Sequence, residues 1–194
     1  DCQVAVLENA ISRYFASGVA PAPLGNRHPS ITPFEPFTAS DGFVIVGAGN
    51  DRIWARLCNL LGREELIADP RFVSNLDRTN NEKELKVILD AEFKAKTIDE
   101  WMALLEEAGI PCAPINTVDR VVKDPQIIAR EMIVEIEHPV AGKMHIPGVP
   151  IKMSATPGSV DTPAPLLGQH TDEILKEFGL SPAEIEELRV KKAI

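Results

Sequence analysis

Residues 43–62 read FVIVGAGNDRIWARLCNLLG. Phe43-Val44-Ile45-Val46 is an unbroken apolar run of strand length, entered through the turn Asp41-Gly42. Asn50 is a helix cap. Beyond it Trp54, Leu57, Cys58 and Leu61 fall on one face, and Gly62 closes the helix. A strand running into an amphipathic helix predicts an α/β fold. The connection Val46-Gly47-Ala48-Gly49-Asn50-Asp51-Arg52 invites a dinucleotide reading. However, Arg52 stands where the third glycine of GxGxxG belongs, and Asn50 is already explained as a cap.

Upstream, residues 17–40 hold Pro21, Pro23, Pro29, Pro33 and Pro36, a density that predicts a long irregular connection. Before it, Val4, Leu7, Ala10, Ile11, Tyr14 and Phe15 recur at helical spacing. With no initiator Met and a helix already under way, the start suggests a fragment or a processed chain. Downstream, residues 64–96 read as helix broken at Asp69-Pro70, with Leu85, Ile88, Leu89 and Phe93 as its stripe. Thr97-Ile98-Asp99-Glu100 is a capping box, and the helix it opens turns Trp101, Leu104, Leu105 and Ala108 inward up to Gly109. Asn116 and Asp124-Pro125 start two short helices. Residues 132–137 and 143–153 read as strands joined through His138–Gly142. After a second irregular stretch, 154–169, Thr171 caps a helix over 172–178. Ser181-Pro182-Ala183-Glu184 then opens the last helix. The expected organisation is a helix with a proline-rich linker over 1–40, a small α/β domain over 41–153, and a return linker with C-terminal helices over 154–194.

The 194 residues carry 20 Lys+Arg against 29 Asp+Glu, a net charge of −9, which argues against a nucleic-acid partner. An apolar share of 44% with 25% charged residues excludes whole-chain disorder. No apolar run approaches the ~18 residues of a membrane span. Cys2, Cys58 and Cys112 form neither a disulfide framework nor a CxxC pair, which points to a reducing, intracellular compartment. His138 lies in a turn, His145 in a strand and His170 beside a cap, so no metal site is expected. His28 lies within Leu24-Gly25-Asn26-Arg27-His28-Pro29, which is either a self-satisfied tight turn or an active-site loop. There is no GxSxG, and Cys58 sits on an apolar helix face. Asp41, Asp51, Asp69 and Asp124 each have a turn or helix end to hold, so no carboxylate asks for a catalytic role.

Read in order, the pieces form a longer pattern. Gly25-Asn26-x-His28-Pro29 leads into Pro33-Phe34-x-x-Phe37, Asp41-Gly42, Asn50-Asp51-x-x-Trp54-x-x-Leu57-Cys58 and Asp69-Pro70-Arg71-Phe72. Ala108-Gly109-Ile110-Pro111-x-x-Pro114, Asp124-Pro125-Gln126, His138-Pro139-x-x-Gly142 and Ala164–Thr171 follow. This set resembles the C-terminal half of family III CoA-transferases, the group of formyl-CoA transferase and crotonobetainyl-CoA:carnitine CoA-transferase.

The resemblance implies an enzyme that moves CoA between carboxylic acids, with acyl-CoA and acid as its partners and CoA as substrate, not cofactor. It implies a Rossmann-like large domain that the flanking helices join, and a homodimer of interlocked subunits. It also implies an aspartate nucleophile that passes through an aspartyl-CoA thioester. That aspartate is expected upstream of this chain, since Asp1 matches a helix-start residue. The chain alone is then expected to be inactive, with no catalytic residue and no metal site. Gly25, Asn26 and His28 are its candidate substrate-binding residues. A cytoplasmic location is expected, or a mitochondrial one in a eukaryote. Two alternatives stand beside this reading: a 2-methylacyl-CoA racemase of the same superfamily, and a non-catalytic assembly module.

Overall fold

The computed structural model describes residues 1–194, as a mixed α/β chain. Its internal contacts divide it into Asp1–Ile115 and Asn116–Ile194.

The first unit is built on a three-stranded sheet of order β1-β2-β3, from β1 (Phe34–Thr38), β2 (Phe43–Gly47) and β3 (Cys112–Pro114). Both pairings are antiparallel, with Phe37 opposite Val44 and Val44 opposite Pro114. Phe37, Val44 and Val46 are wholly buried on one face of this sheet. Against them pack residues of α3 (Asp51–Leu61), α5 (Glu82–Phe93) and α6 (Ile98–Glu107), chiefly Trp54, Leu57, Leu89, Phe93 and Leu105. The Phe37 and Phe93 rings stack at 4.9 Å between centroids, and Trp101 tilts against Phe93 at 4.8 Å. The Trp101 indole Nε1 donates to the Phe93 carbonyl at 2.6 Å.

The expected caps are in place. The Asn50 side chain accepts from the Ile53 N–H, and Thr97 with Glu100 forms a full capping box. Gly62 ends α3 at φ +66°, where the left-handed backbone favours glycine. A short 3-10 turn (Glu64–Ile67) and α4 (Asn75–Asn80) fill the way to α5. Cys58 is wholly buried, and burial pushes its thiol up to about 12, as suits an inert core cysteine.

The stretch 17–40 is not irregular throughout, because β1 lies within it. Thr38 shows how a strand accommodates Pro36. Its N–H points away from β2 and donates to Asp90 Oδ1 of α5 at 3.0 Å. Pro36, two residues earlier, turns its nitrogen to that same outer edge and forfeits no ladder bond. β3 also escaped the sequence reading, being three residues long between Pro111 and Ile115.

The second unit holds α7 (Val118–Val121), α8 (Pro125–Ala129), the hairpin of β4 (Ile133–His138) and β5 (Gly142–Pro147), and then α9 (Thr171–Glu177) and α10 (Pro182–Val190). The hairpin is a separate two-stranded sheet. Its strands pair only with each other, and the internal contacts divide at Ile115/Asn116. β5 stops at Pro147, short of the expected 153. Caps shift by one residue at α7 and α9, to Thr117 and His170, while the Ser181/Glu184 capping box of α10 is present.

The opening helix is broken at Leu7 into α1 (Cys2–Val6) and α2 (Glu8–Ser17), and neither buries a side chain. In α10 Ile185 is buried, unlike the uncovered Ile174 of α9 and Phe178 just after it. No helix is long and apolar enough to cross a membrane.

Candidate functional site

The loop Leu24–Pro29 crosses the edge of β1, and its downstream end is firmly held. Arg78 of α4 is fully buried and forks between three carbonyls: Nε to Thr32 at 2.8 Å, Nη1 to Phe72 at 2.9 Å and Nη2 to Gly49 at 2.7 Å. Nη2 also meets Asp51 Oδ1 at 2.9 Å. One turn away, Asn75 Nδ2 donates to the Ser30 carbonyl at 2.8 Å, and its Oδ1 accepts from the Thr32 N–H at 3.0 Å. Asn75, Arg78 and Thr79 lie on one face of α4 by helical spacing. Nothing in the sequence alone separates that face from a solvated one. Gly49, in the connection after β2, has a packing reason as well, since a Cβ there would collide with the Ile31 side chain.

Within the loop, the three residues singled out from the sequence do different jobs. Gly25 turns the chain at φ +67°. His28 is used by the loop itself. Its Nδ1 accepts from the Ser30 and Ile31 N–H groups at 3.2 and 3.1 Å, and its ring stacks on Phe34 at 5.5 Å. The same device recurs at His138-Pro139, where Nδ1 accepts from Val140 and Ala141. Asn26 lines a pocket of about 700 Å³, together with Arg27 and Glu35 and with Glu82, Lys83 and Lys86 of α5.

Glu35 is the acid that the sequence reading passed over. It is only 7% exposed, yet its carboxyl has no hydrogen bond or ion pair. Burial pushes that carboxyl up to about 7; Glu82 and Asp90 add to the rise, while Lys86 and Arg27 oppose it. Lys86 is itself engaged, donating to Asp90 Oδ2 at 2.7 Å and standing 4.5 Å over the Phe37 ring. Arg27 Nε approaches Glu82 only to 3.8 Å, and its buried Nη1 has no partner. Glu35 lies two residues from the buried Phe37 and therefore on the same face of β1. That alternation is the signal that a strand reading of 34–38 would have supplied.

A second pocket of about 700 Å³ is apolar, lined among others by Ile31, Phe34, Ile45, Ile53 and Cys112. No three His, Cys, Asp or Glu side chains converge as a metal would need.

Comparison with known proteins fits the resemblance read from the sequence. The chain is 38% identical over 175 residues to the succinyl-CoA:glutarate CoA-transferase of Homo sapiens, covering 90% of this chain and 40% of that protein. It is 35% identical over 185 residues to the acetyl-CoA:oxalate CoA-transferase of Acetobacter aceti, covering 95% of this chain and 46% of that protein. A crystal structure of a CAIB/BAIF family protein from Brucella suis superposes with a TM-score of 0.78 at 37% identity, over 91% of this chain and 46% of that one. The chain thus spans less than half the length of each. Residues 1–171 match the family described as CoA-transferase family III, and the chain belongs to that family.

Proposed function

We propose that this chain is the loop-bearing part of an enzyme that transfers CoA between carboxylic acids, with the aspartate nucleophile contributed from outside residues 1–194. The observation that carries this reading is the placement of Leu24–Pro29. The loop is anchored through Ser30 and Thr32 to the buried face of α4, while Asn26 and Arg27 look into a pocket rich in basic side chains. A rigid anchor beneath an exposed tip is the arrangement expected of a substrate-binding loop.

In the proposed reaction the aspartate attacks the donor thioester, giving a mixed anhydride and CoA thiolate. The thiolate attacks the aspartyl carbonyl, releasing the donor acid and leaving an aspartyl-CoA thioester. The acceptor carboxylate repeats the two steps in reverse and leaves as a new acyl-CoA. Splitting one acyl transfer in this way, with N–H donors facing each oxyanion, lowers every barrier. The named relatives act on succinyl-CoA, glutarate, acetyl-CoA and oxalate, which supports short dicarboxylates as acids here.

The division into 1–40, 41–153 and 154–194 belongs to the same proposal, the outer helices joining a Rossmann-like domain and two subunits interlocking. The bare faces of α1 and α2 support it. The test is mass spectrometry of succinyl-CoA and glutarate incubated with the polypeptide that carries the aspartate together with residues 1–194. Glutaryl-CoA is the expected product. α-Proton exchange of a 2-methylacyl-CoA in D2O without CoA transfer would make the protein a racemase instead.

A further inference from the structure

Two polar groups at the 24–29 loop lack partners, and they line one pocket. The Glu35 carboxyl, 7% exposed, makes no hydrogen bond, and Arg27 Nη1 is buried with no acceptor; both residues line this pocket. They do not pair with each other. Leaving a buried donor unsatisfied costs about 1–3 kcal/mol, more for a charged one, so the Arg27 guanidinium calls for an acceptor on the side of this pocket.

We propose that this pocket binds a carboxylate of the acid substrate, gripped by Arg27 and Lys83 beside the Glu35 carboxyl. The charge pattern selects an anion. With Glu35 protonated and Lys86 neutralised by Asp90, the lining sets Arg27 and Lys83 against Glu82, and Lys83 has no ion pair of its own. Asp90, just beyond, is spent on Lys86 and on the Thr38 N–H. A guanidinium presents paired donors to one carboxylate, and a carboxylic acid can donate its proton to the same ligand. Ionised, Glu35 would repel that ligand. Binding is therefore coupled to a proton on Glu35, which is faced by Arg27 from the loop and by Glu82, Lys86 and Asp90 from α5. The site rests on the proposed function only in taking the carboxylate to be a substrate's.

The experiment is a titration of the 194-residue chain with glutarate, followed by ¹H–¹⁵N NMR at several pH values, with glutaramide as the uncharged control. A carboxyl with a pKa of about 7 is ~90% protonated at pH 6 and ~10% at pH 8, so the glutarate affinity should fall about ten-fold between them. The shifts should centre on Asn26, Arg27 and Lys83, and glutaramide should leave them unmoved. Glu35→Gln should still bind and lose the pH dependence, whereas Arg27→Met should bind about ten-fold more weakly or worse. Equal affinity at pH 6 and pH 8 in the unaltered chain, shifts centred elsewhere, or equal binding of glutaramide would overturn the site, whether or not any variant folds. No CoA is present, so pH-linked binding without transfer by the larger polypeptide would sink the function and keep the site. Transfer without such binding would do the reverse.

Discussion

Arg78 Nε donates to the carbonyl oxygen of Thr32 at 2.8 Å, joining α4 to the chain just ahead of β1 across 46 residues. The same guanidinium holds Phe72 and Gly49, so one side chain fixes the end of the candidate loop, the turn into α3 and the approach to α4. Its ion-pair partner Asp51 is largely exposed, so the neutral carbonyls carry most of the contact.

Arg78→Met would leave three carbonyls without their donor. Removing one member of a buried charged network costs roughly 3–5 kcal/mol. Arg78→Lys should lose a comparable amount, because an ammonium cannot fork to three acceptors in one plane. Urea titration of both variants checks this, and a loss under about 1 kcal/mol would mean that the clamp is not structural.

Glu35 gives the protein a stability that depends on pH. Folded, it keeps its proton to about pH 7; unfolded, it loses it near the ordinary 4.5. Between those values the folded state binds more protons, so stability falls as pH rises through that window. Glu35→Gln removes the loss. It should match the unaltered chain near pH 4.5 and exceed it by roughly 2–3 kcal/mol at pH 8, measured by denaturant titration at each pH.

Trp101 ties α6 to the end of α5 through its ring contact with Phe93 and its bond to the Phe93 carbonyl. Trp101→Ala should cost about 3–5 kcal/mol, from the lost burial and the cavity left behind. If unfolding by urea shows less than 1 kcal/mol, the α5–α6 junction is not the core element described above.

The opening helices should drive self-association. Val4, Leu7 and Phe15 are 60%, 53% and 81% exposed, with Ile11 and Tyr14 beside them. Such faces favour pairing, and a net charge of −9 opposes it only in part. Light scattering of the 194-residue chain should report a dimer or larger species, and Leu7→Asp with Phe15→Asp should return it to monomer. A monomer at the outset would show that these helices do not need a partner.

Much of this architecture was legible because local rules and tertiary packing agree in the middle of the chain. Asn50, Gly62, Thr97 and Glu100 mark helix ends by their own chemistry, and Trp54, Leu57, Cys58, Trp101 and Leu105 show their faces by spacing alone. β1 was hidden because Pro36 usually forbids a strand, and only the outer edge held by Asp90 makes it harmless. Losing β1 also hid Glu35, whose inward direction follows from strand alternation. Arg78 could not be read at all: on a short helix an arginine is ordinarily solvated, and its three acceptors come from remote parts of the chain. At the loop, Gly25-Asn26-x-His28-Pro29 drew attention by composition, but the division of labour between a structural His28 and a pocket-lining Asn26 needed coordinates.

The most direct test of the proposed function is the site of covalent labelling by succinyl-CoA. The 194-residue chain, and the polypeptide that carries the aspartate together with it, are each incubated with succinyl-CoA, quenched and mapped by mass spectrometry, with and without hydroxylamine. The account predicts a hydroxylamine-sensitive CoA adduct on one aspartate outside residues 1–194, discharged by glutarate, and no adduct on the 194-residue chain. An adduct on any carboxylate within residues 1–194, or CoA transfer by this chain alone, would contradict it.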